Sequence, residues 1–489
     1  MTIHLSLLLF APLVFGLLAA LMPDRIAAAI GLLGALVALV FAVILLVDFD
    51  HSQAGLQYVT DDKWISTLGI RYSLGVDGLS LWLIGLTGVL FAATAVWTLV
   101  RPVARPGQWA LHMGLAETAV LGAFLAQDLA LFVGFFDLML VPFLFLMLGW
   151  GGAERRPATL KMIIYTLVGS LLMLAAAVAT AVLASPDATP VFSLAKLAQL
   201  PLGEGTQRLL FAGFALAFLI KMPAFLVHGW MPDAYRQMPM PAIAVFSAVL
   251  SKVAAYGFLR VALPLFPDAA QDYQLIIMLL AVAGIIYGSA MAFTQTNLRL
   301  ILGYSSLAQL AFITLGIFSL TPQGTQGAIL QSVNHGLVVL PFFFIVLLAA
   351  ERAGGSEDIG SLGGIAFRGP VLATLALIVA FATLAIPGSA NFAGEFFILL
   401  GAFKAKLVLA IIAFTGVALA SVYVLRAYIR TFHNREGREV GDGADIAWRD
   451  RLVLVPLVVA ILAFGLYPQA ALKASEQATQ PHREFAVIK

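Results

Sequence analysis

The sequence predicts an all-α membrane protein of about fourteen transmembrane helices, organised as a single polytopic membrane domain over residues 1–489. Of its residues, 61% are hydrophobic and 11% are charged, whereas soluble domains average about 25% charged residues. The mean hydropathy is +0.99. Apolar segments of about 18–25 residues, long enough to cross a bilayer, recur along the chain. These observations exclude an ordinary soluble enzyme.

Each apolar segment is a candidate span, and the first is interpreted as a helix because it lacks the basic region and cleavage site of a signal peptide. Two connections, 51–72 and 434–450, are long and polar, and we expect modest loops there. The spans lie near residues 3–22, 26–47, 78–100, 109–126, 129–149, 159–184, 207–230, 241–263, 274–293, 299–319, 325–349, 369–403, 406–432 and 450–472.

Basic residues are concentrated in alternate connections, for example Arg155, Arg156 and Lys161. Positive residues favour the inner side of a membrane. With an even number of spans, this bias predicts a multi-pass protein of the cell inner membrane with both termini on the periplasmic side.

Two predicted spans are interrupted, and each carries a charge at the interruption. In the seventh span Lys221 is followed by Met222 and Pro223, and proline breaks or kinks a helix because it lacks an N–H and clashes with the preceding turn. In the twelfth span, the stretch AIPGSANFAGEFF from Ala385 contains a Pro-Gly break and then Glu395. Irregular backbone at membrane depth indicates a lined cavity.

The two interrupted spans lie five spans apart, which indicates internal repeats. Broken segments at corresponding places in two halves are typical of a transport path. We therefore predict two five-helix repeats, over about 109–263 and 274–432.

The ionisable residues inside the predicted spans are few, and each matters because a charge in hydrocarbon costs at least about 2.5–3.5 kcal/mol. Asp137 and Lys221 have opposite signs and could neutralise one another. Lys252, His335 and Glu395 could continue as a polar chain bridged by water. The candidates are Glu117, Asp137, Lys221, His228, Lys252, His335 and Glu395.

Such a chain has the properties of a proton relay. Desolvation disfavours the charged forms of lysine and carboxylate alike, so each group can exchange a proton near neutral pH, and an opposite charge nearby opposes this effect. Separating Asp137 from Lys221 would therefore release or take up a proton. A purely structural role is the simpler interpretation of His228; for Glu117 and His335 both interpretations stay open.

Redox and nucleotide chemistry receive no support from the sequence. There are no cysteines, which excludes disulfides, thiolate nucleophiles, iron–sulfur clusters and cysteine-ligated zinc. No glycine-rich phosphate loop is present. We expect that the chain binds no cofactor and no metal.

Several stretches match one known family in the same order along the chain. They are GVDGLSLWL from Gly75, FLAQDLALFVGFFDLMLVP from Phe124, TLKMIIYTLVGSLLML from Thr159, IKMPAFLVHGWMPDA from Ile220, LSKVAAYGFLR from Leu250, YSSLAQLAF from Tyr304, GAILQSVNHG from Gly327 and PGSANFAGEFFILLGAF from Pro387. By these stretches the chain resembles the antiporter-like subunits of respiratory complex I, a NADH:quinone oxidoreductase, and most closely the M type.

The resemblance implies fourteen helices with two inverted five-helix repeats, and proton translocation driven by quinone reduction in other subunits. By motif, Lys221 would be the central lysine and Asp137 its acidic partner. Lys252 would link toward the second half, His335 would lie on the connecting axis and Glu395 would be the acidic end toward the periplasm. The implied partners are other membrane subunits, with similar antiporter-like subunits on either side, and lipids; no nucleic acid is implied.

Two departures from the family pattern keep a scaffold function open, and related subunits that share the implied fold supply further alternatives. Asp137 stands where glutamate is usual, so its pair with Lys221 must be closer-packed or bridged by water. Gln309 stands where histidine is usual, and glutamine cannot titrate. The alternatives are a subunit of a multi-subunit Na⁺/H⁺ antiporter or of a membrane-bound hydrogenase, a scaffold that moves no ion, and a solitary transporter of a small solute. Whether H⁺ or Na⁺ moves is also open.

Overall fold

The computed structural model describes residues 4–53, 55–186, 189–434 and 445–478. Each of the fourteen predicted spans contains at least one helix, and nine helical segments of the described ranges, one of them made of two consecutive helices, are long and apolar enough to cross a membrane. The predicted all-α membrane class is thereby confirmed. The helices are α1 (Leu5–Ala20), α2 (Asp24–Asp48), α3 (Leu81–Val100), α4 (Pro106–Leu125), α5 (Leu129–Leu138), α6 (Leu140–Trp150), α7 (Arg155–Leu183), α8 (Leu194–Leu197), α9 (Glu204–Lys221), α10 (Met231–Gln237), α11 (Met240–Leu265), α12 (Pro267–Thr294), α13 (Leu298–Phe318), α14 (Pro322–Arg352), α15 (Ile365–Arg368), α16 (Pro370–Thr383), α17 (Ala390–Ala405), α18 (Leu407–His433), α19 (Trp448–Leu466) and α20 (Gln469–Ala478).

A β-hairpin stands where the sequence suggested a loop before the third span. Strands β1 (Gln57–Ile65) and β2 (Ile70–Val76) pair antiparallel, and Gly69 turns the chain with φ 72°. The Arg71 N–H donates 3.1 Å to the carboxylate of Asp128, whose other oxygen caps the N-terminus of α5. A search for long apolar runs misses such short strands, because their polar residues break the run.

The described chain divides into two compact units. Unit 1 contains residues 4–223, 249–276 and 473–478; unit 2 contains residues 224–248 and 277–472. Within unit 1, α1 packs closely on α4, since a Cβ added at Gly114 would lie 2.2 Å from the Pro12 carbonyl oxygen. Small residues permit such close approach of membrane helices. The inverted repeats over 109–263 and 274–432 stay a prediction.

Both predicted interruptions are present. Helix α9 ends at Lys221, and the turns that follow hold Leu226 in a left-handed conformation with φ 78°. Helix α16 ends at Thr383, and Ala385 and Gly388 adopt φ 50° and 88° before α17 begins. A non-glycine residue at positive φ costs free energy and persists only where the surroundings enforce it, so both breaks are built into the fold.

Two further irregularities were not predicted. The fifth span is split at Met139 into α5 and α6, where Pro142 removes the N–H that would bond to the Leu138 carbonyl. Helix α11 contains two wider π-helical turns, Phe246–Leu250 and Phe258–Ala262. Such turns often mark functional sites, and here they flank the segment that carries Lys252.

A candidate proton-relay site

Lys221 is the last residue of α9, and Phe136, also in unit 1, stabilises its ammonium. Its side chain is 6% exposed. The ammonium Nζ donates 2.7 Å to the Phe136 carbonyl oxygen and lies 4.0 Å from the centroid of the same residue's ring. The helix dipole favours a cation at this end, and the ring face adds a cation–π attraction. A backbone carbonyl and an aromatic face therefore stabilise the buried ammonium.

Asp137 follows Phe136 and shares this environment. It is half-buried, interacts electrostatically with Lys221 and faces Ser170 of α7. In the described part of unit 1, the buried Asp137 Oδ1 has no hydrogen-bond partner. A buried acceptor left unpaired is costly, and a bridging water offsets that cost. Because the Lys221 ammonium bonds to the Phe136 carbonyl oxygen, the contacts fit a water-bridged pair of Asp137 and Lys221 better than a close-packed pair.

Lys252 is fully buried in unit 1, with 0% of its surface exposed. Its Nζ donates 3.2 Å to the Ser251 hydroxyl. The two π-helical turns of α11 lie on either side of this segment. Unit 1 thus contains three of the five predicted relay residues.

In unit 2, Glu395 ends a chain of side-chain amides. Gln331 Nε2 donates 2.7 Å to Gln309 Oε1, and Gln309 Nε2 donates 2.8 Å to Glu395 Oε1. Glu395 is 4% exposed, and Gln331 is 0% exposed. The glutamine that replaces the family's usual histidine therefore contacts the predicted acidic end directly, and no water is needed between them.

His335 lines a small cavity in unit 2. The cavity has about 10 Å³ of space for water centres, and Ser305, Ser306, Thr383 and Asn391 share its wall. That volume is close to the minimum for one water molecule. Asn391 is 0% exposed, and within the described residues neither polar atom of its amide has a hydrogen-bond partner. A water in this cavity would satisfy Asn391 beside His335.

The sequence interpretation missed the buried amides Gln331, Asn334 and Asn391. Their signal was present, because Gln331 and His335 are four residues apart, as are Asn391 and Glu395, and residues at this spacing share one face of a helix. Asn334 Nδ2 donates 2.5 Å to the carbonyl of Ala390. Glu395 is therefore hydrogen-bonded within a chain of neutral amides.

Glu117 and His228 are the other two ionisable residues singled out in the predicted spans. Glu117 is 1% exposed on α4, in unit 1, and lines a separate cavity. His228, in unit 2, is half-buried, and its Nε2 lies 3.1 Å from the Tyr287 hydroxyl. This hydrogen bond satisfies one of the two ring nitrogens, and the structural interpretation of His228 stays a prediction. Among the described residues, no group of three or more His, Asp or Glu is arranged to hold a metal ion.

Comparison with known proteins gives a consistent result over most of the chain. A family model described as "NADH:quinone oxidoreductase/Mrp antiporter, TM" matches residues 126–420. NADH-quinone oxidoreductase subunit M of Rhodobacter capsulatus is 35% identical over 459 residues, which cover 91% of this chain and 88% of that protein.

Among solved structures, a chain of respiratory complex I from Thermus thermophilus with bound NADH aligns with a TM-score of 0.90 and 31% identity, over 98% of this chain and 99% of that one. A chain of the Mrp complex from Dietzia sp. DQ12-45-1b aligns with a TM-score of 0.83 over 99% of both chains, at 21% identity. The second likeness concerns the fold alone.

Proposed function

The chain belongs to the NADH:quinone oxidoreductase/Mrp antiporter family of membrane subunits, and we propose that it is the M-type antiporter-like subunit that translocates protons in a NADH:quinone oxidoreductase. Its part in the reaction is proton transfer, and quinone is reduced elsewhere in the complex. Its partners are the other membrane subunits, including similar antiporter-like subunits on either side.

The observation that carries this proposal is the buried Lys221 at the end of an interrupted helix. Its ammonium bonds to the carbonyl oxygen of Phe136, and Asp137 is the next residue in the chain. A buried ammonium beside a carboxylate is stable while the two charges face each other and favours losing its proton when they separate. The Phe136 carbonyl gives the ammonium a second partner, so Asp137 can move without leaving Lys221 unbonded. In this mechanism, separating the pair passes a proton onward.

In this proposal the proton then passes to Lys252, His335 and Glu395. Gln309 and Gln331 hold the carboxyl of Glu395 in a fixed hydrogen-bonded position. The amide chain cannot titrate, but it orients the group that does. For this reason the departure at position 309 does not favour a scaffold that moves no ion.

A Na⁺/H⁺ antiporter subunit is the second candidate, because the Mrp chain shares the fold. Sodium coupling needs several oxygen ligands around a dehydrated ion, and Asp137 and Glu117 were the only acidic candidates close in sequence. Glu117 lines a cavity, and Asp137 is not among the described residues that form the wall of that cavity. The two carboxyls therefore do not share one site. Protons therefore remain the preferred ion.

The test is proton pumping by the parent complex in membrane vesicles, with wild type compared with Lys221→Ala and Asp137→Asn. Assembly is checked on a native gel, and Lys404→Ala, which removes an exposed lysine, is the matched control. We expect both relay variants to lose pumping and coupled quinone reduction together while the control keeps them. Normal pumping by both assembled variants would instead assign the chain a scaffold role, and pumping that requires Na⁺ would favour the antiporter alternative.

A further inference from the structure

A buried carboxyl outside the relay faces a cavity in unit 1. Glu117 is 1% exposed, and within the described residues its Oε1 has no hydrogen-bond partner. The cavity is lined by residues of α1, α2, α3 and α4 and has about 30 Å³ of space for water centres. One water needs about 10–15 Å³ on this measure, so the cavity has room for about two.

The cavity also offers polar partners that a water requires. The hydroxyls of Thr94 and Thr98 belong to residues in its wall. Each donates its hydrogen to a carbonyl oxygen of α3, over 2.8 Å from Thr94 to Leu90 and 3.2 Å from Thr98 to Thr94. Their oxygen lone pairs remain available as acceptors. A water in the cavity can therefore bridge a threonine oxygen and the carboxyl of Glu117.

Glu117 faces no second charge across this cavity. The lining residues include no other titratable side chain in the described part of unit 1. On the helices packed against α4, the titratable side chains are Asp24, Arg25 and Asp48 of α2, Asp137 of α5, and Lys252, Tyr256 and Arg260 of α11, and none of them lines the cavity. The ring of His112 of α4 lies against that of Phe145 of α6 instead, with the ring centroids 5.3 Å apart. An ionised Glu117 would thus be without a counter-charge, whereas the protonated carboxyl can donate to the cavity water.

We propose that Glu117 is a second proton-binding carboxyl of unit 1, which exchanges its proton with water in the cavity between α1, α2, α3 and α4. Glu117 is not one of the residues used in the proposed function. Whether it carries a proton can be measured independently of proton pumping. Failure of one proposal therefore leaves the other intact.

A hydrophobic carbodiimide tests this assignment because it reacts with protonated carboxyls in apolar surroundings. The acid proton passes to a carbodiimide nitrogen, the carboxylate oxygen bonds to the central carbon, and migration of the acyl group to nitrogen leaves a stable N-acylurea with no leaving group. Vesicles containing the parent complex are treated at mildly acidic and at alkaline pH, and the modified peptides are identified by mass spectrometry.

We expect the adduct on Glu117, formed several-fold faster at acidic pH and absent in Glu117→Gln. Ala95→Leu fills the cavity while keeping the carboxyl and should slow the labelling several-fold. Ala29→Leu, at an exposed position of α2 outside the cavity wall, is the matched control and should leave it unchanged. An unmodified Glu117 in wild type, or labelling that depends on neither pH nor the cavity, would overturn the proposal.

Discussion

At the scale of single residues, the ionisable side chains singled out in the sequence are buried or half-buried, and the hydrogen-bond partners of Lys221, Lys252 and Glu395 are neutral. Lys221 bonds a backbone carbonyl, Lys252 a serine hydroxyl and Glu395 a glutamine amide. The sequence identifies which charges enter the membrane, because each interrupts an apolar run. It does not identify the partners, because polar uncharged residues are common in such runs and their pairing depends on helix orientation.

Gln309 provides the first prediction. Gln309→Leu removes the donor to Glu395 and the acceptor for Gln331, and hydrogen bonds to charged groups contribute about 1.5–3 kcal/mol. We expect proton pumping in vesicles to fall roughly ten-fold. Gln309→His, which restores the residue usual in the family and keeps a donor, should retain most of the activity. If the leucine variant pumps as well as the histidine variant, the amide chain does not position Glu395.

At the scale of helices and strands, glycines and prolines decided most of the geometry. The two interruptions were predictable from Pro223 and the Pro387-Gly388 pair. The split between α5 and α6 follows from Pro142, whose effect was hidden inside a continuous apolar run. The β-hairpin was missed because its strands are short and outside the spans.

Helix α1 depends on glycine at position 114 of α4, which gives the second prediction. Gly114→Ala places a Cβ 2.2 Å from the Pro12 carbonyl oxygen, a backbone atom that cannot rotate away. We expect overpacking of about 1–3 kcal/mol, measured as a lower thermal dissociation temperature of the purified complex. Gly134→Ala is the matched control, because a Cβ there has no neighbour within 4 Å. Equal behaviour of the two variants would contradict the close contact.

The hairpin gives a prediction about pH. The Arg71 guanidinium, 2.7 Å from Asp61, holds the pKa of that carboxyl below its ordinary value of 3.8. A lowered pKa in the folded state stabilises the hairpin above pH 3.8, and this stabilisation is lost as the pH falls through the folded-state pKa. The protection factors of the strand amides, measured by hydrogen–deuterium exchange relative to the intrinsic exchange rate at each pH, should therefore fall in acid in wild type. Asp61→Asn should remove this dependence, and the same loss in Asp62→Asn would argue against the Arg71 contact.

At the scale of the whole molecule, the predicted relay residues divide between the two compact units. Asp137, Lys221 and Lys252 belong to unit 1, and His335 and Glu395 belong to unit 2. Each unit contains an end of an interrupted helix with a buried ionisable group. A relay through both units requires that protons pass these groups in series.

Serial transfer predicts non-additive variants, because groups that act as one unit lose their function together. Lys221→Ala and Glu395→Gln should each abolish most proton pumping, and the double variant should lose no more than the more severe single variant. Initial pumping rates in vesicles with equal amounts of assembled complex are the measurement. Losses that multiply would indicate two independent proton routes.

The sequence by itself determined the membrane class, the recurrence of apolar helices, the two interruptions and the family, because these depend on composition, on proline and glycine, and on motifs in a fixed order. The tertiary structure decided the surroundings of the buried groups. Lys221 bonds to the Phe136 carbonyl, Glu395 bonds to the Gln309 amide, and Glu117 lines a separate cavity. The physical reason is that hydrophobic periodicity fixes where a helix forms. Contacts between polar groups in apolar surroundings depend on how helices distant in sequence rotate and pack against each other.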